Sequence, residues 1–184
     1  MKQILYTLSL IVVLSGIFTS CKKNTLDALH EDEVIALDKY VTDNNLADAK
    51  DVSGIYLKIK ERSADTTLIR SGFKVMLECK ITLLDGTVLQ YLTTDDGLGH
   101  NYEPVAFYVD VSNDIVNANY IQQIAGLHNG LKKMHVGDRA FMVIPSELAF
   151  KAVDNSSTLG VPRFSTLLAT VYAKKGISPA DQAK

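Results

Sequence analysis

Residues 126–150 read GLHNGLKKMHVGDRAFMVIPSELAF, and no other stretch of the chain constrains the fold as strongly. Apolar residues recur at helical spacing between Leu127 and Met134, which predicts a short helix. A Val-Gly-Asp turn follows, and the apolar run Ala140–Ile144 is typical of a buried strand. Pro145 has no backbone N–H and ends that strand. The sequence therefore predicts a helix, a turn and a strand in direct succession.

Strand patterns lie on both sides of this stretch. The clearest is residues 75–83, where apolar and polar residues alternate with the period of two that a strand requires. Asp85-Gly86 predicts the turn of a hairpin. Residues 32–44 have apolar residues at helical spacing behind an acidic start, which predicts an N-terminal helix. Further strands are predicted at residues 55–60, 88–91, 104–111 and 166–173. Together these elements indicate the α+β class with an antiparallel sheet.

The first twenty residues have the pattern of a signal peptide. Lys2 gives a positive start, and the apolar run from Ile4 to Phe18 is shorter than the roughly 20 residues that span a membrane. The run ends in Phe-Thr-Ser-Cys21, which resembles a bacterial lipobox, where the cysteine is acylated and becomes the new N-terminus. This interpretation is favoured over an ordinary signal peptide with a chance cysteine, because cleavage before Cys21 leaves a polar linker and then a plausible domain.

Charge and cysteine content exclude several classes of function. The chain has 19 basic and 21 acidic residues, and without Lys2 its net charge is about −3. No basic stripe suggests nucleic acid. With Cys21 acylated, Cys79 is the only remaining thiol, so no disulfide framework is expected. His128 and His135 have no metal-ligand spacing and are predicted to face solvent, and neither a metal nor another cofactor is expected.

The 126–150 stretch resembles the central signature of the FKBP family of peptidyl-prolyl isomerases. In that family a pocket-forming helix is followed by Met-x-x-Gly-x-x-(Arg/Lys), a strand, and Ile-Pro-x-x-Leu-Ala-Tyr-Gly. The matching residues are Met134, Gly137, Arg139, Ile144, Pro145, Leu148 and Ala149. Phe150 and Lys151 stand where the family has Tyr and Gly. The resemblance covers residues 72–174 and implies an FKBP-like antiparallel sheet wrapped around one short central helix, here with an extra N-terminal helix.

The implied reaction needs a pocket rather than a nucleophile. Rotation about an X-Pro bond breaks amide resonance over a barrier of about 18–20 kcal/mol. The twisted amide is less polar than the planar one, so an apolar pocket that excludes water and grips the proline ring favours the transition state. A sequence without a catalytic triad is therefore compatible with this enzyme class.

The resemblance assigns three residues to the catalytic site. Ile124 matches the residue whose backbone N–H binds the substrate carbonyl. Leu127 matches the Trp that forms the pocket floor. Phe150 matches the Tyr that donates a hydroxyl to the substrate, so the ring is kept and the donor is lost.

The resemblance also outlines the rest of the substrate pocket. The implied pocket residues are Cys79, Leu89, Gln90, Val105, Phe107, Val161 and Ala169. The family has Tyr, Asp and Phe at the positions of Cys79, Gln90 and Ala169, so this pocket is expected to be less aromatic and to differ in its two named polar groups. Fewer aromatic rings mean less contact area to position a proline.

The expected domain organisation follows from these assignments. It comprises a signal peptide (1–20), a lipidated Cys21 with a tether (21–30), an N-terminal helix and leader strand (31–66), an FKBP-like domain (67–175) and a C-terminal tail (176–184).

Two functions stay open at this point. One is a peptidyl-prolyl isomerase, weak in turnover, that assists the folding of extracytoplasmic polypeptides. The other is a non-catalytic FKBP-like lipoprotein that binds peptides or acts as a chaperone. In both, the expected partners are proline-containing polypeptides and a membrane reached through the lipid anchor, and a monomer is expected. The expected location is the cell envelope, with the periplasmic side of the outer membrane favoured.

Overall fold

A computed structural model describes residues 25–89, 93, 104–111, 120–182 and 184. The predicted signal peptide, Cys21 and Gln90 lie outside these residues. Within the described part, five strands form one antiparallel sheet in the order β1-β4-β5-β2-β3. The strands are β1 (Tyr56–Glu61), β2 (Lys74–Leu83), β3 (Val105–Tyr108), β4 (Arg139–Ile144) and β5 (Leu167–Ile177). The helices are α1 (Thr25–Asp43), α2 (Ala125–Leu131), α3 (Ser156–Leu159) and α4 (Pro179–Gln182).

The predicted fold class is confirmed, since an antiparallel sheet surrounds the short helix α2 and α1 precedes it. The leader strand β1 pairs with β4 and is therefore an edge strand of this same sheet. The segment predicted as a tail, residues 176–184, begins with the last residues of β5 and contains α4. None of the helices described is both long and apolar enough to cross a bilayer.

The inner face of the sheet is the face to which the apolar residues of β2 point. Along β2 every second side chain is buried, as the alternation predicted. Inward-facing side chains of β4 and β5 extend this face, and α2 packs over it. Two glycines of α2 allow the close approach, because a Cβ on Gly126 would overlap Ile144 and one on Gly130 would overlap Met142. The result is one large apolar core between α2 and the sheet.

The outer face of the sheet is partly covered by α1. Leu37 and Val41 on α1 form a second apolar cluster with Tyr56, Val143 and Leu168 of the sheet. Leu37 and Val41 are buried as their helical spacing predicted. Val34 and Ile35, which belong to the same predicted pattern, are exposed, and Glu33 completes the buried stripe instead.

The predicted tether is wrong for residues 25–30, because α1 already begins at Thr25. The reason is a long-range contact rather than a local pattern. The ring of His30 stacks on Phe164, with 5.0 Å between the ring centroids. Glu33, one turn further on, is buried against the domain. These contacts hold the first turns of the helix where the sequence shows no apolar stripe.

Candidate functional site

The candidate pocket residues converge on the inner face of the sheet. Eight of them belong to one buried apolar cluster: Cys79, Leu89, Phe107, Ile124, Leu127, Phe150, Val161 and Ala169. Val105 is partly buried and packs against this cluster. They come from β2, β3, β5, α2 and three connecting segments, so only the folded chain brings them together. Gln90 lies outside the described residues.

The predicted floor of the pocket is set by α2. Leu127 is fully buried, and it follows Gly126, whose missing side chain lets α2 lie directly against β4. Any larger residue at position 126 would push the helix, and Leu127 with it, away from the sheet. The glycine that opens the helix therefore determines the depth at which the floor lies.

The backbone N–H of Ile124 already has a partner. It donates to the carbonyl oxygen of Ile121 at 3.2 Å, at the end of the 3-10 turn Tyr120–Gln123. A substrate carbonyl at this position would have to share or replace that hydrogen bond. This N–H can take the role that the family pattern implies only if its hydrogen bond to Ile121 is shared or broken.

Phe150 is carried by the loop that follows β4. The loop turns at once, because the carbonyl oxygen of Ser146 accepts the N–H groups of Ala149 and Lys151, both at 2.9 Å. Phe150 lies between them and is 8% exposed. Lys151 has φ +55°, a left-handed backbone conformation that favours glycine. Lys151, which stands where the family pattern has glycine, therefore adopts a backbone conformation that glycine adopts more readily.

Val161 sits on a short flap over the cluster. The N–H of Asn155 donates to the carbonyl of Val161 at 3.0 Å, and the reverse bond measures 3.4 Å. Between them lies α3, which is followed directly by its C-cap residue Gly160 with φ +73°. A Cβ on Gly160 would lie 3.6 Å from Leu89, so the flap tip is next to the predicted pocket wall.

His128 follows the floor residue Leu127 in α2. It was predicted to face solvent, and that prediction is wrong. Its side chain is 12% exposed, and its ring lies 4.6 Å from that of Phe107. Nδ1 accepts the backbone N–H of Asp110 at 2.9 Å, and Nε2 donates to the carbonyl of Gln122 at 2.8 Å. Burial lowers the pKa of His128, although the Gln122 carbonyl and Asp110 oppose that shift. The imidazole is therefore a neutral structural link between α2 and the segments before it.

Gln122 was not singled out from the sequence and also has a defined role. Its side-chain amide bonds both the N–H and the carbonyl of Tyr108, in the way that a neighbouring strand would. Gln122 is buried, and it thereby anchors β3 beside α2. No local sequence pattern indicates this role, because Tyr108 lies 14 residues from Gln122 along the chain.

The inner-face cluster is closed in this structure. None of its eight candidate residues is more than 8% exposed. Among the described residues, one hollow of about 310 Å³ lies on the outer face of the sheet, and its lining includes Lys60, Lys80 and Arg139. Entry of a proline ring into the cluster therefore requires side chains to move. Among the described residues, no group of three or more His, Cys, Asp or Glu is placed to hold a metal ion.

The chain belongs to the FKBP-type peptidyl-prolyl cis-trans isomerase family, whose model matches residues 65–172. The match begins before β2 and ends within β5, so it contains all the candidate pocket residues. Membership of this family supports peptidyl-prolyl isomerase function. No curated protein sequence matches the chain.

Solved structures share the fold at low sequence identity. FkpA from Escherichia coli is 21% identical and has a TM-score of 0.56, with 97% of this chain and 72% of that chain covered. A peptidyl-prolyl isomerase from Pseudomonas syringae pathovar tomato is 17% identical, with a TM-score of 0.61 and coverages of 84% and 98%. The three FKBP domains of wheat FKBP73 are 24% identical, with a TM-score of 0.55; 70% of this chain is covered, and it spans only 48% of the wheat chain. At these identities the likeness shows the fold alone.

Proposed function

We propose that this chain is a peptidyl-prolyl cis-trans isomerase that acts on extracytoplasmic polypeptides. The observation that carries the proposal is the inner-face cluster, because eight side chains matched to the family's pocket by position meet there. All eight are apolar or carry only a thiol, which is the lining that stabilises a twisted, less polar imide.

Each part of the cluster has a task in this proposal. Leu127 and Phe107 supply the surface on which the proline ring rests, and Val161 excludes water from above. The N–H of Ile124 orients the substrate carbonyl once its bond to Ile121 is released. Phe150 supplies a ring but no hydroxyl donor, so the transition state receives one hydrogen bond fewer than in the family pattern. We therefore expect low turnover.

The flap is the element that we expect to open. Val161 is tied to Asn155 by two hydrogen bonds, of which one is long at 3.4 Å. Gly160 has no side chain, and even an added Cβ would come no closer than 3.6 Å to Leu89. Displacing this flap uncovers the cluster without breaking the sheet.

The second candidate is a peptide-binding module on the same fold. It is favoured by the closed cluster and by the residues that stand where the family has Trp and Tyr, namely Leu127 and Phe150. A protease-coupled assay with a proline peptide, run on the full-length protein in detergent, separates the two. Isomerisation above background supports the enzyme; background rates with retained peptide binding support the module.

We further propose that Cys21 carries a lipid that anchors the protein in the cell envelope. Because α1 begins at Thr25, three residues separate Cys21 from the helix, and the domain would be held close to the bilayer. Cys21→Ser should move the protein from the membrane fraction to the soluble fraction. Unchanged fractionation would reject the anchor and leave the isomerase proposal untouched.

A further inference from the structure

Glu33 on α1 is a buried carboxylate that accepts three hydrogen bonds. Its side chain is 4% exposed. The backbone N–H of Ser146 donates to Oε1 at 2.8 Å, and the Ser146 hydroxyl donates to Oε2 at 2.7 Å. The hydroxyl of Thr166 also donates to Oε1, at 2.8 Å. A buried carboxylate is stable only with such partners, and all three donors come from outside α1.

The two donor residues stand at the two ends of one loop. Ser146 follows the Ile-Pro pair that ends β4, and Thr166 precedes β5. The loop between them carries Phe150 and Val161. By binding both Ser146 and Thr166, Glu33 therefore holds together the two ends of the loop that carries Phe150 and Val161.

The contact extends into the loop through the backbone. The carbonyl of Ser146 accepts the N–H groups on either side of Phe150. The carbonyl of Lys151 accepts the N–H of Phe164 at 2.8 Å, which closes the loop on itself. Phe164 in turn stacks on His30 of α1. Two side chains of α1, Glu33 and His30, thus hold both ends of the loop.

Holding α1 on the domain does not by itself require Glu33. The apolar stripe of Leu37 and Val41 already packs on the outer face of the sheet. Glu33 lies on the same buried face of α1 as Leu37 and Val41, but its three hydrogen bonds all go to residues at the two ends of the loop. Leu37 and Val41 therefore attach α1 to the sheet, whereas Glu33 connects α1 to the loop.

We propose that Glu33 is a positioning residue for the isomerase site, through which α1 sets the conformation of the loop that carries Phe150 and Val161. The proposal rests on the proposed function for its effect on catalysis. Its structural half, control of the loop by α1, stands independently. None of these hydrogen bonds goes to a candidate pocket residue, so Glu33 acts on the site through Ser146 and Thr166, with His30 Nε2 3.8 Å from its carboxylate as a further neighbour.

The test compares Glu33→Ala with Glu33→Gln in the full-length protein, and Asp38→Ala is the control. Asp38 is exposed on the same helix, so its variant loses the same charge without touching the loop. The glutamine variant can keep all three contacts if one hydroxyl reverses its role. Native-state amide hydrogen exchange is followed at Ala149, Lys151 and Phe164, with Ile81 in β2 as the internal reference.

We expect Glu33→Ala to raise exchange at the three loop amides by roughly tenfold or more relative to Ile81, because hydrogen bonds to a charged group are lost. Glu33→Gln should restore most of the protection, and Asp38→Ala should match the wild type. In the isomerase assay, well below the melting temperature, Glu33→Ala should change kcat/KM in the folded protein, while Asp38→Ala should not.

A purely stabilising role predicts a different pattern. Exchange would then rise equally at the loop and at Ile81, and kcat/KM per folded molecule would not change; that result would overturn the proposal. If Glu33→Ala does not fold, Thr166→Val carries the same test, because it removes one loop donor and leaves α1 intact. A wild type without isomerase activity would reject the proposed function, and the exchange pattern would still decide the positioning role of Glu33.

Discussion

Replacing Gly126 by alanine should destabilise the protein, although alanine is the better helix former. A Cβ at position 126 would lie 3.1 Å from Cγ1 and 3.3 Å from Cβ of Ile144, and closer still to its Cγ2. Carbon atoms prefer separations of about 3.5–4.0 Å. Isoleucine is stiff at χ1 and sits in a buried strand, so it has little freedom to retreat.

The expected magnitude follows from two opposing terms. Overpacking of a core typically costs about 1–3 kcal/mol. Gly→Ala within a helix returns up to about 1 kcal/mol, and less here because Gly126 is the second residue of α2. The net loss in the free energy of unfolding should be about 1–2 kcal/mol, measured as a lower urea midpoint at an unchanged m-value.

Gly130→Ala is the matched control in the same helix. Its new Cβ would overlap Sδ and Cε of Met142, which are the far end of a flexible side chain that can swing aside. Its stability should change by less than about 1 kcal/mol, with the helix gain offsetting the repacking. A double-mutant cycle with Ile144→Ala should show that Gly126→Ala costs less once the isoleucine is shortened. If Gly126→Ala were as stable as Gly130→Ala, the reasoning about α2 would be refuted.

Three further substitutions test other parts of the account. Lys151→Gly should raise the free energy of unfolding by about 0.5–1 kcal/mol, because relief of a left-handed backbone at φ +55° outweighs the extra freedom of glycine in the unfolded chain. Asp138→Asn should lower it by about 2–4 kcal/mol, since this fully buried carboxylate accepts Arg62 Nη1 and the N–H groups of Ser63 and His135, each at 2.7 Å, and an amide can satisfy only part of that set. Wild-type stability should fall as the pH drops below about 6.5, the ordinary pKa of histidine. The reason is that His128 has a lowered pKa in the folded state, so the unfolded state takes up the proton first. His128→Gln should reduce this dependence of stability on pH.

Each of these predictions has a control. Lys39→Gly lies within α1 and should destabilise by about 1 kcal/mol, so a gain there would contradict the backbone argument for Lys151. Asp65→Asn, at an exposed carboxylate that accepts the N–H of Thr67, should change stability far less than Asp138→Asn does. For His128, an unchanged slope between pH 7.5 and 5.5 in the glutamine variant would assign the pH dependence to another group.

The elements around the inner face could be predicted because their signals are local. Apolar and polar residues alternate over residues 75–83 because one face of β2 is buried. In the 126–150 stretch, the glycine, methionine and proline positions indicate where the helix, the turn and the end of the strand lie. The resemblance to the family rests on this same stretch. Side chains that serve the central core therefore leave a readable pattern in the sequence.

The contacts that could not be predicted join residues far apart in the chain. Glu33 meets Ser146 across 113 residues, and His30 meets Phe164 across a similar separation. Both lie where α1 begins, which explains why the helix start was placed too late. His128 was assigned to solvent for the same reason, since its partner Asp110 lies in another segment. The closed state of the pocket depends on side-chain packing, which no local pattern encodes.

The most direct test of the central claim is a methyl NMR titration of the full-length protein with a proline peptide. We expect the methyl signals of Leu127, Ile124 and Val161 to shift, and a matched peptide with alanine in place of proline to leave them unchanged. Leu37 and Val41 on the outer face should not respond to either peptide. Unshifted inner-face methyls at saturating peptide, or shifts confined to the outer face, would contradict the account.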